Sequence, residues 1–429
     1  SGTGFLAGML AALFLSKDLS ITSVMAYGAV YWSCTVITDP VTSTDKPVAG
    51  LILGFLTGFL PVYFNPTLFC LSYALLLFNG VSFILERYYG KKKGIFLPAV
   101  SIKAPIDEVN PNTEAIDFTK KQLCTAYNPA SFTTDKILEC IERNDVFGMG
   151  GAGFPTIKKI ETVIKSGAKE KYLIINGMEC DPGLIHDKWL MHNRSIEIGK
   201  GLEVLGNIIR FKKIYFLTKS EIDLNLPEQV EIHKMPDKYP YGAERIFVEK
   251  LLKIGIPADS NPAQYGVLVL NLQTLIAVYE AVYYNKKADT RFITVADLFA
   301  GTAKVVKVSL EDRVSDIVEK TVGDKGMTFV GGGIMQARQA MDDETIGKAT
   351  NFIAVGTMPR YKESNQCINC GLCRFCCPMG LNVKRIADLI DEGKTLEAKI
   401  YNTNRCISCG ICSFVCPAGK NLSGRIKKK

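Results

Sequence analysis

The cysteines near the end of this chain restrict it more than any other feature. Of fourteen cysteines, nine crowd into residues 367–416. Eight of those form two copies of one pattern: Cys367-x2-Cys370-x2-Cys373-x3-Cys377-Pro378 and Cys406-x2-Cys409-x2-Cys412-x3-Cys416-Pro417. A thiolate cage around an iron–sulfur cubane takes three ligands from one tight turn and a fourth from elsewhere. In the bacterial two-cluster pattern the fourth cysteine of each run serves the other cluster. The spacing therefore predicts two [4Fe–4S] clusters and an electron-transfer role. Cys367, Cys370, Cys373 and Cys416 are expected to hold one, and Cys406, Cys409, Cys412 and Cys377 the other. Structural zinc, which C-x2-C pairs also bind, is the alternative; two intact copies of the full run weigh against it.

Cys376 is surplus beside a ligand and reads as a buried bystander. Cys34, Cys70, Cys124, Cys140 and Cys180 read as small buried hydrophobes. Cysteines at metal-ligand spacing place this part of the chain in a reducing compartment. The net charge of +8 owes something to lysine runs at 91–93 and 427–429. These read as solvated or membrane-proximal surface, with docking of an acidic electron carrier as the sharper alternative. No basic stripe with interleaved aromatics accompanies the charge, so nucleic acid is not an expected partner.

The other end of the chain is nearly all apolar. Four stretches, 5–15, 21–38, 48–63 and 67–85, open the sequence. A spanning helix needs about 17–25 apolar residues; the second and fourth stretches meet that, and the third nearly does. Four in a row predict a multi-pass bundle of transmembrane helices over 1–90. The first looks clipped, and the chain starts at Ser1 without an initiator Met, so an N-terminal part is expected to be missing or processed. Glu86, Arg87 and the 91–93 lysines follow the fourth span. The positive-inside rule puts that end, the 39–47 loop and everything after residue 91 in the cytoplasm, beneath the inner membrane.

Residues 91–130, with Pro98, Pro105, Pro111 and Pro129, read as a linker. A helix is predicted over 136–143, followed by the glycine-rich loop Gly148-Met-Gly-Gly-Ala-Gly-Phe-Pro-Thr156. Strands at 172–176, 213–218 and 266–270 alternate with helices at 243–253 and 272–284, which argues for an α/β domain. Strands at 292–295, 303–308 and 328–333 mark a small β-rich unit.

Gly148, Gly150 and Gly153 satisfy G-x-G-x-x-G, but a helical segment precedes the loop where a dinucleotide fingerprint demands a strand. A better reading is an anion site: backbone N–H groups at a helix N-terminus, opened by Pro155, with Lys158 one turn in. A tight turn without a ligand is the alternative.

Several segments occur in one order before the cysteine runs: GMGGAGFPT (148–156), IINGMECDP (174–182), YPYGAE (239–244) and NLQT (271–274). In this the chain resembles the C subunit of the Rnf membrane complex, itself related to the flavin subunit of respiratory complex I, over roughly residues 130–425. The resemblance implies a site for noncovalent FMN with NAD(H) binding over it. It assigns cofactor binding to Gly148, Gly150, Gly151, Gly153, Phe154, Lys158, Asn176, Glu179, Tyr239, Gly242, Glu244, Asn271 and Thr274, with Glu179 in a catalytic role on the nicotinamide side. Ala243 replaces a second glycine of that family, and 91–130 leaves no room for the family's N-terminal lipoyl-like domain. Ile37-Thr-Asp-Pro-Val-Thr-Ser43 and Phe78-Asn79 resemble the D subunit of the same complex. Ser1-Gly2-Thr3 matches that subunit's flavin-bearing segment poorly, so no covalent flavin is expected.

The expected architecture is a membrane bundle (1–90), a linker (91–130), an α/β domain for FMN and NAD(H) (131–289), a small β-rich, SLBB-like domain (290–350) and an α-helical ferredoxin-like domain with two [4Fe–4S] clusters (351–429). The resemblance implies an ion-translocating ferredoxin:NAD+ oxidoreductase, with other Rnf-type membrane and iron–sulfur subunits as partners and ferredoxin reached indirectly. The alternatives are a membrane-anchored, cobalamin-reductase-like enzyme that pumps no ions and a non-catalytic electron wire.

Overall fold

The structure is a computed structural model. It describes residues 113–119, 126–127, 132–151, 153–179, 181–219, 226–257, 260–323, 326–358 and 366–427. The expected membrane bundle and most of the expected linker lie outside the described residues. Among the described residues no helix is long and apolar enough to cross a membrane. The chain divides into two units, residues 100–359 and a second that contains 360–429.

The larger unit begins with the short strand β1 (Ile116–Asp117) and two amphipathic helices, α1 (Thr134–Arg143) and α2 (Thr156–Lys165). Then follow β2 (Tyr172–Gly177), α3 (His186–Asn193), α4 (Ser195–Ile208), β3 (Lys213–Thr218), β4 (Val230–Lys234), α5 (Glu244–Leu252), β5 (Val267–Asn271) and α6 (Leu272–Tyr284). The four strands β2–β5 form a fully parallel sheet in the order β4-β3-β2-β5. Side chains alternate across a strand, and here both faces are covered. Leu173, Ile175, Phe216, Leu268 and Leu270 pack into one apolar cluster, whereas Ile174, Tyr215, Leu217, Val267 and Val269 pack into another. That double burial explains why these strands read as unbroken apolar runs.

The order of this sheet fixes where a ligand can sit. From β2 the chain steps to β3 on one side and later returns to β5 on the other. The C-terminal ends of β2 and β5 thus flank a topological switch point, where open α/β sheets form their binding crevice. Asn176 and Asn271 pair in register at that edge.

A second sheet follows, built from β6 (Thr290–Asp297), β7 (Thr302–Ser309), α7 (Val314–Thr321), β8 (Met327–Gly331), β9 (Arg338–Gln339) and β10 (Phe352–Gly356). Its order is β1-β7-β6-β10-β8-β9. Val314, Ile317 and Val318 of α7 cover the face that carries Ile293, Val295, Val306, Val308, Ile353 and Val355. Two boundaries differ from the sequence expectation. Strand β10 pairs with β6 and β8, so the β-rich unit runs beyond residue 350. Ile116 and Asp117, inside the expected linker, form an edge strand on β7.

In the other unit the described chain is helical: α8 (Leu372–Phe375), α9 (Val383–Asp391), α10 (Thr395–Ile400), α11 (Ile411–Phe414) and α12 (Leu422–Lys427). The cysteine runs repeat at an interval of 39 residues, and the backbone repeats with them. Asn369 and Ser408, Gly371 and Gly410, and Gly380 and Gly419 all take positive φ. Each half closes the same turn, with Gly380 N–H donating to Cys377 O and Gly419 N–H to Cys416 O, both at 3.0 Å. Val383, Ile386, Ala387, Leu422 and Ile426 pack beneath the cysteines.

Candidate functional site

The duplicated turns of the smaller unit sort the cysteines into two cavities. Cys367, Cys370, Cys373 and Cys416 line one, and Cys377, Cys406, Cys409 and Cys412 line the other. Each cavity takes three sulfurs from one run and the fourth from the opposite run, which is the crossed arrangement expected from the spacing. Cys376, 3% exposed, lines neither. All eight cysteines are free of disulfides. Burial pushes the thiols of Cys373 and Cys377 up to about 11 and that of Cys409 to about 12, and neighbouring sulfurs add to each shift. Thiols so crowded are costly to ionise unless a cation receives them.

The spacing bears on which cation. Among the described residues no three of these sulfurs lie within 4.8 Å of one another. A single zinc ion with Zn–S bonds of about 2.3 Å would hold its sulfurs about 3.8 Å apart.

In the larger unit, three loops meet at the switch point. The glycine-rich loop lies between a bridge of Phe147 to Pro155, closed by Gly148 N–H to Phe154 O (2.7 Å) and Gly153 N–H to Gly148 O (3.0 Å). Met149 N–H donates to the buried Thr274 Oγ1 at 2.9 Å, on the first turn of α6. A Cβ on Gly150 would stand 3.3 Å from Asn271 Cβ, so the loop passes closely over the end of β5. Gly151 (φ 111°) and Gly153 (φ 61°) take backbone conformations that side-chain-bearing residues rarely adopt. Among the described residues no hydrogen bond occupies the N–H of Gly150 or Gly151. The N-terminus of α2 has no side-chain cap. An uncapped helix end and two glycine amides without a hydrogen-bond partner among the described residues suit an anionic phosphate. By this test the residues fit a flavin phosphate.

The second loop follows β2. Asn176 Nδ2 donates to Gly242 O at 2.9 Å, and Asn176 Oδ1 accepts from Met178 N–H at 3.1 Å. The 239–244 segment is thereby tied to the end of β2, and Glu244 is held by Lys159 Nζ at 2.8 Å. Tyr239 is half-buried in the same segment, and Lys158 is exposed on α2. Glu179 is buried with φ 38°. Its carboxylate caps α3, accepting from Asp187 N–H (2.6 Å) and Lys188 N–H (3.1 Å). Burial raises its pKa to about 7, opposed by the charge of Lys219 and those two N–H bonds.

Four further side chains adjoin these loops, and sequence reasoning had not assigned them a role there. Asp187 accepts from Asn271 Nδ2 at 2.9 Å, and burial together with Glu179 raises its pKa well above the usual range. His186 sits beside both carboxylates, and burial lowers its pKa to about 3, keeping it neutral. Lys219 Nζ donates to Glu179 O at 3.0 Å. Arg291 is 1% exposed and spans three segments: its guanidinium donates to Met149 O (2.9 Å), Lys348 O (2.6 Å) and Asn351 Oδ1. It pins the glycine-rich loop to the second sheet. Asp181 ties the loop after β2 to that sheet through the N–H groups of Ile334 and Met335. A Cβ on Gly333 would lie 2.2 Å from Asp181 Cγ, so that contact depends on glycine. A lone arginine in the apolar strand Thr290–Asp297 was the one signal that could have exposed this clamp.

Comparison with known proteins agrees with the two halves of this geometry. Residues 141–280 match the Nuo51 FMN-binding domain, and residues 399–419 match the 4Fe-4S binding domain. The chain is 28% identical over 310 residues to the C subunit of the ion-translocating oxidoreductase complex of Vibrio cholerae, covering 64% of this chain and 39% of that protein. It is 29% identical over 276 residues to the protein of the same name from Rhodobacter capsulatus, covering 59% of this chain and 51% of the relative. The chain thus spans about half or less of these relatives' own length. A crystal structure of an NAD+-reducing [NiFe]-hydrogenase superposes with a TM-score of 0.48 at 16% identity, covering 69% of this chain and 64% of the other.

Proposed function

We propose that this chain is the electron-input subunit of an Rnf-type, ion-translocating ferredoxin:NAD+ oxidoreductase. In this reading it holds one noncovalent FMN and two [4Fe–4S] clusters and exchanges electrons with NAD(H). The observation that carries it is the meeting of the glycine-rich loop, the 176–183 loop and the Asn271–Thr274 turn at the switch point of a parallel sheet. The likeness to the C subunits of two organisms supports it.

The residues divide the work. The N–H groups of Gly150 and Gly151 and the N-terminus of α2 bind the phosphate, with Lys158 free to swing toward it. Thr274 and Arg291 fix the loop from below, so its amides need no reorganisation when the phosphate arrives. Asn176, Gly242 and Asn271 border the crevice that takes the isoalloxazine. Bound FMN supplies the chemistry, converting a two-electron hydride transfer into single-electron steps that clusters accept. The eight cysteines hold the clusters in the crossed sets described above. Residues 1–90 would anchor the protein to the inner membrane beside its partner subunits, with the sheets on the cytoplasmic side; the apolar stretches and the basic flank support that placement.

Glu179 in this scheme positions the 176–183 loop on the nicotinamide side. Glu179→Gln keeps one acceptor oxygen for α3 and removes the other. The variant is expected to retain its flavin while kcat/KM for NADH oxidation falls about tenfold, equivalent to roughly 1.4 kcal/mol. Unchanged NADH kinetics with an artificial acceptor would remove Glu179 from the nicotinamide side.

A further inference from the structure

Beneath the crevice lies a cluster of which the flavin reading uses only Glu179. Glu179, His186 and Asp187 are 7%, 2% and 4% exposed. One ligand atom from each lies within 4.8 Å of the other two. His186 Nδ1 stands 3.8 Å from Glu179 Oε1, and Nε2 stands 3.9 Å from Asp187 Oδ1. Among the described residues no lysine or arginine forms an ion pair with either carboxylate, and the charges of Lys219 and Arg291 act on them only from farther away. Lys219 donates to the backbone carbonyl of Glu179, and Arg291 donates to Met149, Gly347, Lys348 and Asn351.

Each of the three side chains is already held by hydrogen bonds. Helix α3 holds the Glu179 carboxylate. Asn271 holds Asp187 Oδ2, and Thr294 Oγ1 lies 3.0 Å from His186 Nδ1. Asp187 Oδ1 is left buried with no hydrogen-bond partner, facing the imidazole. Buried anionic groups are offset by a proton or by a cation. A proton on Asp187 Oδ1 would face His186 Nε2 at 3.9 Å, beyond hydrogen-bond range, whereas a metal ion would engage that oxygen, an imidazole nitrogen and a lone pair of Glu179 together. Partners on Asp187 Oδ2 and His186 Nδ1 are the kind of contact that orients metal ligands.

We propose that Glu179, His186 and Asp187 form a binding site for one divalent ion of the zinc class, with nitrogen and oxygen ligands only. The ion would lock the 176–183 loop onto α3, separately from the cysteine cages.

The test uses the full chain, loaded with zinc sulfate under anaerobic conditions, desalted and examined by metal analysis and zinc K-edge X-ray absorption. The expected result is about one zinc per chain in a nitrogen/oxygen shell at about 2.0–2.1 Å. Zinc content should fall at least about tenfold in His186→Ala at equal free zinc. Flavin and iron, measured on the same samples, report whether that variant has folded, and they test the flavin reading independently. Zinc below about a tenth of an equivalent, a sulfur shell near about 2.3 Å, or occupancy unchanged in a folded His186→Ala would overturn the site. Should His186→Ala not fold, the absorption spectrum of the unaltered chain decides alone.

Discussion

Gly151→Val is expected to strip the flavin from the chain and leave its iron in place. At φ 111° Gly151 occupies a region that a β-branched residue enters only at a cost of about 1–3 kcal/mol. The valine would relax by turning the peptide, and the two amides proposed to bind the phosphate would turn with it. The space around the residue is not the obstacle, since a Cβ there would meet only Asn351 Nδ2, at 3.8 Å. The effect is thus on backbone direction, and it falls on the anion cradle itself. The core beneath is held separately by Thr274 and Arg291. The cysteines belong to the other unit. We expect FMN per chain to drop at least about tenfold, with iron and sulfide unchanged. Full flavin and full NADH oxidation in this variant would make the loop a structural turn.

Cys377→Ala should remove one cluster, and it should be the one built on the downstream run. Cys377 lines the cavity of Cys406, Cys409 and Cys412, away from its own run's Cys367, Cys370 and Cys373. Iron should fall from about eight to about four per chain. A second substitution tells which cluster went. Adding Cys409→Ala should cost no further iron, because both residues serve the same cage. Adding Cys370→Ala should take iron close to zero. The reverse pattern, with Cys409→Ala emptying the chain and Cys370→Ala changing nothing, would show uncrossed ligation.

How legible each part was in the sequence follows from how local its signal is. The sorting of the cysteines into two cavities was readable, because six of the eight come from two tight turns whose spacing is the geometry. Strands β2, β3 and β5 and helix α6 were readable because burial on both faces makes them continuous apolar runs. Strand β4 was not: Val230–Lys234 is a sheet edge whose glutamate, isoleucine and lysine are exposed. Strand β10 was apolar enough to notice, yet it pairs with β6, some sixty residues earlier, and no local pattern reveals that register. The pocket divides the same way. Its glycines announce a loop of unusual backbone, whereas His186, Asp187 and Arg291 are single polar residues. Their importance arises only when the fold buries them together.

The claim at the centre of this account is that one chain holds a flavin site and two cubane cages. The direct measurement is the cofactor content of the anaerobically purified chain. Flavin would be identified by chromatography after acid release, and iron and acid-labile sulfide counted per polypeptide. The account predicts about one FMN, about eight iron and about eight sulfide. Absence of FMN, or an iron content near four with sulfide to match, would contradict it.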